Sequence, residues 1–226
     1  MTLQRVLEPE VMDTVEEAVD YNAMDHAAVN RLFVDDLLAV LSPDSETAFE
    51  GEVLDLGTGT ALIPIELCRR NESFRVLGID LAANMLDIAK INIDLANLTQ
   101  QIMLDLVDAK TLPLEDERFA VVMSNSIIHH VPEPAAVLRE AVRLVSPGGL
   151  LFFRDLLRPE DNEQVTRLVA AYVGQESDRA RQMFKDSLRA ALSLDEIRAL
   201  VRELGFEAAT VQATSDRHWT WVARKS

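Results

Sequence analysis

Between Gly51 and Phe153, short apolar runs alternate with longer segments whose apolar residues recur at helical spacing. Val53–Leu56, Phe74–Ile79, Ile102–Val107, Phe119–Met123 and Leu150–Phe153 read as strands, and Ala61–Arg70, Ala82–Leu98 and Pro134–Leu144 as helices. Antiparallel strands can be joined by tight hairpins, whereas parallel strands need a crossover, usually a helix. The alternation therefore points to an α/β fold: a Rossmann-like, mostly parallel sheet with helices on both faces. Phe119–Met123 is apolar at every position, as a strand covered on both faces should be.

The flanking segments break the alternation. Residues 1–48 read as a helical cap, in which Val29, Leu32, Phe33, Leu37 and Leu41 recur at three- and four-residue steps until Ser42-Pro43-Asp44-Ser45 interrupts them. Residues 156–192 read as helices inserted after the fifth strand. Leu194–Leu204 predicts a further helix, stopped by Gly205. Phe206–Thr214 and His218–Ala223 predict a C-terminal antiparallel hairpin turning at Ser215-Asp216, which brings the sheet to seven strands. The chain reads as one domain, 1–226, divided into cap (1–48), core (51–155), insertion (156–192), and helix with hairpin (193–226). Cap and insertion are expected to form a mobile lid. Each carries polar and aromatic residues among its apolar ones: Tyr21, Asn22, Asp25 and His26 in one, Tyr172, Gln175 and Arg179 in the other.

Charge narrows the partners. With 22 Lys and Arg against 38 Asp and Glu, the net charge is -16, and no basic cluster offsets it. Such a surface repels polyanions, so no nucleic-acid partner is expected. One cysteine, Cys68, sits in an apolar helical stretch and reads as a small core residue. No secretory signal and no apolar run of about 18 residues is visible, so a cytoplasmic chain without a membrane span is expected.

In open α/β sheets, ligands bind at the carboxyl ends of the strands, near the point where strand order reverses. The first strand is followed by Asp55-Leu56-Gly57-Thr58-Gly59-Thr60-Ala61. Its two glycines permit a tight turn and close approach to a ligand, and the next helix points its amides at the same place. Asp80 follows the second strand, where a carboxylate can accept from two adjacent ribose hydroxyls. Asp108-Ala109 follows the third strand, Ser124-Asn125-Ser126 the fourth and Arg154-Asp155 the fifth. The third glycine of a nicotinamide-dinucleotide fingerprint would fall on Leu62, and the Gly-Lys-Ser/Thr of a P-loop is absent.

Residues 51–155 resemble the class I S-adenosylmethionine-dependent methyltransferases, in particular the small-molecule branch that includes the ubiquinone/menaquinone-type enzymes. The likeness is carried by Val53 to Ala61, Leu77-Gly78-Ile79-Asp80-Leu81 with Met85-Leu86, and Asp108-Ala109 with Leu112-Pro113. It continues through Ser124-Asn125 with His129-His130-Val131, and Val137-Leu138-Arg139-Glu140 running into Arg143 to Gly149. The resemblance implies S-adenosylmethionine as cofactor and S-adenosylhomocysteine as product. It assigns Asp55, Gly57, Thr58, Gly59, Asp80, Leu81, Met85, Asp108, Ala109 and Asn125 to the cofactor. Gly57 and Gly59 would pass under its methionine part, Asp80 would hold the ribose, Asp108 and Ala109 the adenine, and Asn125 would lie beside the sulfonium. Ala61 stands where many members have a third glycine. The Asn-Pro-Pro-aromatic signature of amino-targeting nucleic-acid methyltransferases is missing at Ser124-Asn125-Ser126-Ile127.

A sulfonium is a good leaving group, so catalysis mostly requires in-line placement of the acceptor and exclusion of water. No particular catalytic residue is obligatory. His26, His129 and Tyr21 are the catalytic candidates, and Arg154, Tyr21 and His129 the substrate-binding candidates. Arg154 could bind an anionic substrate or brace a lid carboxylate. His129 and His130 are neighbours, which on a helix would face different ways. No Cys or His spacing supplies the three converging ligands of a metal site, so none is expected. The expected function is methyl transfer to a small-molecule acceptor. A protein methyltransferase, or a non-catalytic cofactor-binding protein acting through partners, is the alternative.

Overall fold

A computed structural model describes residues 3–8, 11, 13–24, 27–41 and 51–226. Its core is a seven-stranded sheet of order β3-β2-β1-β4-β5-β7-β6. The strands are β1 (Glu52–Leu56), β2 (Arg75–Asp80), β3 (Ile102–Leu106), β4 (Phe119–Asn125), β5 (Val145–Leu156), β6 (Val211–Ala213) and β7 (His218–Arg224). The first five run parallel; β7 pairs antiparallel with β5, and β6 antiparallel with β7. Strand order reverses between β1 and β4, which places the ligand-binding crevice at their carboxyl ends.

The helices are α1 (Val15–Ala23), α2 (Ala27–Leu41), α3 (Leu62–Arg70), α4 (Ala83–Leu95), α5 (Pro134–Leu144), α6 (Asn162–Val173), α7 (Asp178–Ala190) and α8 (Leu194–Glu203). Side chains alternate across each strand, so both faces of the sheet are apolar. Leu54, Val122, Leu151 and Phe153 pack with Val137, Leu138 and Ala141 of α5 and Ile197 and Val201 of α8. Val53, Val121, Met123 and Phe152 pack with α2, α3 and α4 on the other face. Cys68 is a buried free thiol there, as expected.

Four expectations change. The first is the cap. Phe33, Val34 and Leu37 of α2 are fully buried, and Phe33 meets Phe152 edge-on at 5.0 Å. This helix packs as a wall of the core. The second is the N-terminus. Residues 3–8 carry no regular structure, in place of the expected helix, and form a strap. The Leu3 amide donates to the Glu160 carbonyl and the Val6 amide to the Arg189 carbonyl, both at 3.0 Å. The third is the hairpin, whose first strand shrinks to β6. Ala208–Thr210 turn as a 3₁₀ helix, closed by the Thr210 hydroxyl on the Glu207 carbonyl, while Phe206 packs edge-on against Trp221 at 5.3 Å. The fourth is β5, which runs beyond Leu150–Phe153 in both directions and takes in Arg154 and Asp155.

Arg154 and Asp155 are both buried and, as neighbours in a strand, face opposite sides of the sheet. Arg154 Nη2 donates to Asp36 Oδ2 of α2 at 2.6 Å, and its Nε donates to Thr220 Oγ1 at 3.0 Å. Losing these charge-assisted bonds at a buried guanidinium costs about 2–3 kcal/mol. Arg154→Met should therefore lower the unfolding free energy by that amount, moving the urea midpoint down with the slope of the transition unchanged.

Candidate active site

The crevice is set by how the chain leaves β1. Gly57 (φ +72°) and Gly59 (φ +53°) take left-handed conformations. A Cβ on Gly57 would lie 1.9 Å from Ile127 Cγ2. The amides of Gly57 and Thr58 both donate to the Ile79 carbonyl at 2.9 Å, which draws the loop onto the end of β2. Asp80 completes the attachment. Its Oδ2 accepts from the Gly59 amide at 2.8 Å and its Oδ1 from the Ala82 amide at 2.9 Å. One carboxylate thus ties the glycine turn to the start of α4, and burial raises its pKa above the usual range.

The residues after the four strands converge. Gly57, Gly59, Asp80, Leu81, Met85, Asp108, Ala109 and Asn125 line one cavity at the switch point. Eight of the ten residues assigned to the cofactor from sequence are in this wall. Asp55 and Thr58 line a smaller recess behind Gly57, together with Tyr21 and Asn125. Asp55 is 3% exposed, and burial pushes its carboxyl up to about 7. Asp108 Oδ1 accepts from the Lys110 amide at 2.9 Å, and Lys110 Nζ lies 3.1 Å from Oδ2.

Tyr21 of α1 lines the cavity, beside Gly59. Its helix is fastened to α4 at both ends. Asp13 Oδ1 accepts from the Asn84 amide at 3.0 Å, and Asn92 Nδ2 donates to Asn22 Oδ1 at 2.8 Å and to the Thr60 carbonyl at 2.9 Å. His26 and Asp25 lie outside the described residues.

Two sequence candidates sit elsewhere. Arg154 reaches Asp36 and Thr220 on the α2 side of the sheet and does not line the cavity, so it braces rather than meeting a substrate there. His129 is also turned away. It is 4% exposed, and its Nδ1 sits 2.6 Å from Asp155 Oδ1. Burial pulls this imidazole down, but the Asp155 carboxylate and Glu8 together hold its pKa above the ordinary value. His130 faces the cavity instead. The pair lies in a turn, not a helix, with rings 4.1 Å apart, so the helical argument for opposite facing does not apply. Arg5 of the strap holds this turn, donating to the carbonyls of His129 at 3.2 Å and Val131 at 2.9 Å.

A second cavity of about 310 Å³ adjoins the first, and Val11 and His130 line both. The strap (Val6, Leu7, Glu8), Glu17 of α1 and α7 (Met183, Asp186, Ser187, Arg189) form its remaining walls. Sequence reasoning named none of these wall residues. They lie more than a hundred residues from His130 along the strap and α1 or on an inserted helix, and only folding brings them together.

The Gly57 turn is the simplest feature to test. Gly57→Ala adds left-handed strain of about 1–2 kcal/mol to the clash with Ile127. The variant should lose at least about 2 kcal/mol of unfolding free energy. Adding Ile127→Ala should relieve the clash component but leave the strain, so the two substitutions should combine non-additively in a denaturation cycle.

Residues 54–153 match the family described as "Methyltransferase domain". The chain is 30% identical over 178 residues to 27-O-demethylrifamycin SV methyltransferase of Amycolatopsis mediterranei, covering 76% of this chain and 61% of that protein. It is 35% identical over 102 residues to ubiquinone biosynthesis O-methyltransferase of Neisseria meningitidis, covering 45% of this chain and 42% of that protein. The chain thus spans about two-fifths to three-fifths of the length of these relatives. The plantazolicin methyltransferase solved with S-adenosylhomocysteine has the same fold, with a TM-score of 0.72, 13% identity, and coverage of 92% of this chain and 89% of that one. The glycine turn, the acidic residues closing β2 and β3, the reversal of strand order and these likenesses agree: residues 54–153 form a methyltransferase domain.

Proposed function

We propose that the chain binds S-adenosylmethionine in the switch-point cavity and transfers its methyl group to a small-molecule acceptor in the adjoining cavity. The observation that carries this reading is the meeting of the two cavities at Val11 and His130. One holds the glycine turn and two strand-end carboxylates, Asp80 and Asp108. The other is enclosed by elements outside the sheet and is large enough for a small molecule. A methyl directed at the shared wall passes from one to the other by in-line displacement, away from bulk water. The acidic surface disfavours a nucleic-acid acceptor. No helix among the described residues is long and apolar enough to cross a membrane.

Each carboxylate has a task in this reading. Asp80, held by two backbone amides, presents its remaining lone pairs to the ribose hydroxyls. Such charge-assisted bonds are worth about 1.5–3 kcal/mol each. Asp80→Ala should weaken S-adenosylhomocysteine binding at least about tenfold by calorimetry. Incubation with methyl-labelled cofactor and a metabolite extract should yield labelled small products that the Asp80 variant does not make. Unchanged affinity in a folded Asp80 variant removes the assignment.

Asp55 adds a proton signature. Its carboxyl titrates at about 7 in the free protein. The cofactor brings an ammonium and a sulfonium beside it, which favour the carboxylate, so binding at neutral pH should release protons and tighten as pH rises through 7. Folding responds with the opposite sign. A carboxyl raised from its ordinary value to about 7 binds a proton when folded but not when unfolded. Its contribution to stability is therefore full below about pH 4 and is lost as pH rises toward 7. Calorimetry in buffers of different ionisation enthalpy should show the release, and Asp55→Asn should abolish it.

Closure is the remaining part of the reading. With α2 fixed in the core, the closing elements reduce to the strap, α1 and α7. Hydrogen exchange in residues 13–24 and 178–190 should slow when S-adenosylhomocysteine binds, while α2 stays protected throughout. Equal protection with and without ligand makes α1 and α7 fixed walls.

A further inference from the structure

The strap delivers Glu8 to the two histidines. Glu8 Oε1 lies 3.6 Å from His129 Nε2 and 3.1 Å from His130 Nδ1. One donor atom from each of the three residues falls within 4.8 Å of the others. We propose that Glu8, His129 and His130 form a binding site for a divalent transition metal, with an open coordination position toward the second cavity.

The spacing suits an ion. Metal–nitrogen and metal–oxygen bonds of about 2.0–2.2 Å in a tetrahedron put neighbouring donors about 3.4 Å apart. The two measured separations bracket that value. As hydrogen bonds they are poor: Glu8 Oε1 is buried and receives none. A buried carboxylate oxygen without a donor is costly unless a cation satisfies it.

The outer contacts are those a metal site uses. His129 turns its other ring nitrogen, Nδ1, to Asp155 at 2.6 Å, which fixes the tautomer that leaves Nε2 as a lone-pair donor. Glu8 Oε2 accepts from Ser187 Oγ at 3.2 Å, leaving Oε1 for the cluster. Around the donors stand the carboxylates of Asp155, Asp186 and Glu17, with Arg5 and Arg189 as the opposing cations. The balance favours a dication. Two imidazoles and a carboxylate form the donor set of a three-ligand catalytic zinc, whose fourth position is left to water or a substrate. Here Glu8 and His130 line the second cavity, so that position opens where the acceptor is placed. Sequence spacing could not show this site, because Glu8 is far from the histidines in the chain.

The site stands apart from the methyl-transfer reading, because metal binding can be measured without cofactor or acceptor. Metal-free full-length protein should bind one equivalent of Zn²⁺ by calorimetry. Co²⁺ in its place should give the visible absorption of a four-coordinate ion. Glu8→Gln, an isosteric change in a segment outside the helices and the sheet, should keep the native circular dichroism and lose the cobalt absorption. His129→Ala should lose it too. Asp155→Asn, which removes the carboxylate that faces His129 Nδ1 and also accepts from the Ile128 and Leu156 amides, should weaken Zn²⁺ about 10–100-fold. Absence of an equivalent of bound zinc, or zinc and cobalt binding that Glu8→Gln and His129→Ala both leave intact, overturns the proposal.

Discussion

The carboxyl edge of this sheet depends on one tight return of the chain after β1. The amides of Gly57 and Thr58 converge on the Ile79 carbonyl, and the Gly59 amide closes on Asp80. These bonds pull the glycine turn across the end of β2 and seat it under Ile127 with no room for a side chain. The cavity, the start of α4 and the place of Tyr21 follow from that attachment. Displacing Gly57 would move the loop, Asp80 and the α4 N-terminus together, because each holds the next.

Electrostatics explains why the attachment suits a cationic ligand. The fold buries Asp55 and largely buries Asp80 at this edge, and burial raises the pKa of both. A carboxyl buried without a cation partner is a cost to folding that a cationic ligand can offset. Backbone amides at Gly59 and Ala82 offset part of it for Asp80. On the other side of His130 the cost is met differently. Asp155 is held below the usual carboxylate range: burial pushes it up, and the His129 imidazole, the Leu156 amide and His130 together bring it down. The two cavities are thus flanked by carboxylates in different states, one set awaiting a cation and one already paired.

The parallel core was legible because turn chemistry and apolar runs are local. Gly57, Gly59, Asp80 and Asp108 each sit at a strand end that sequence alone locates, and the fold brings them to one cavity. Arg154 and His129 were legible as unusual residues but not as to their partners. The phase of β5 decides which face Arg154 takes and on which face Asp155 meets His129, and that phase depends on how far the strand runs past Phe153. The strap was not legible. Residues 3–8 carry no periodic signal, and their place is fixed by contacts with the Arg189 and Glu160 carbonyls far along the chain. Glu8 consequently looked like an ordinary acidic residue. The 206–210 stretch was misread for a similar reason: its apolar Phe206 serves Trp221 rather than continuing β6.

The central claim is that the methyl group of a cofactor in the first cavity points at the wall shared with the second. S-adenosylmethionine enriched with carbon-13 in its methyl group tests this directly by nuclear Overhauser spectroscopy on the complex. The account predicts contacts from that methyl to the ring protons of His130 and the methyls of Val11, the residues common to both cavities. Contacts confined to Val107, Ala109 or Val137, on the side of the cavity near Asp108, would contradict it.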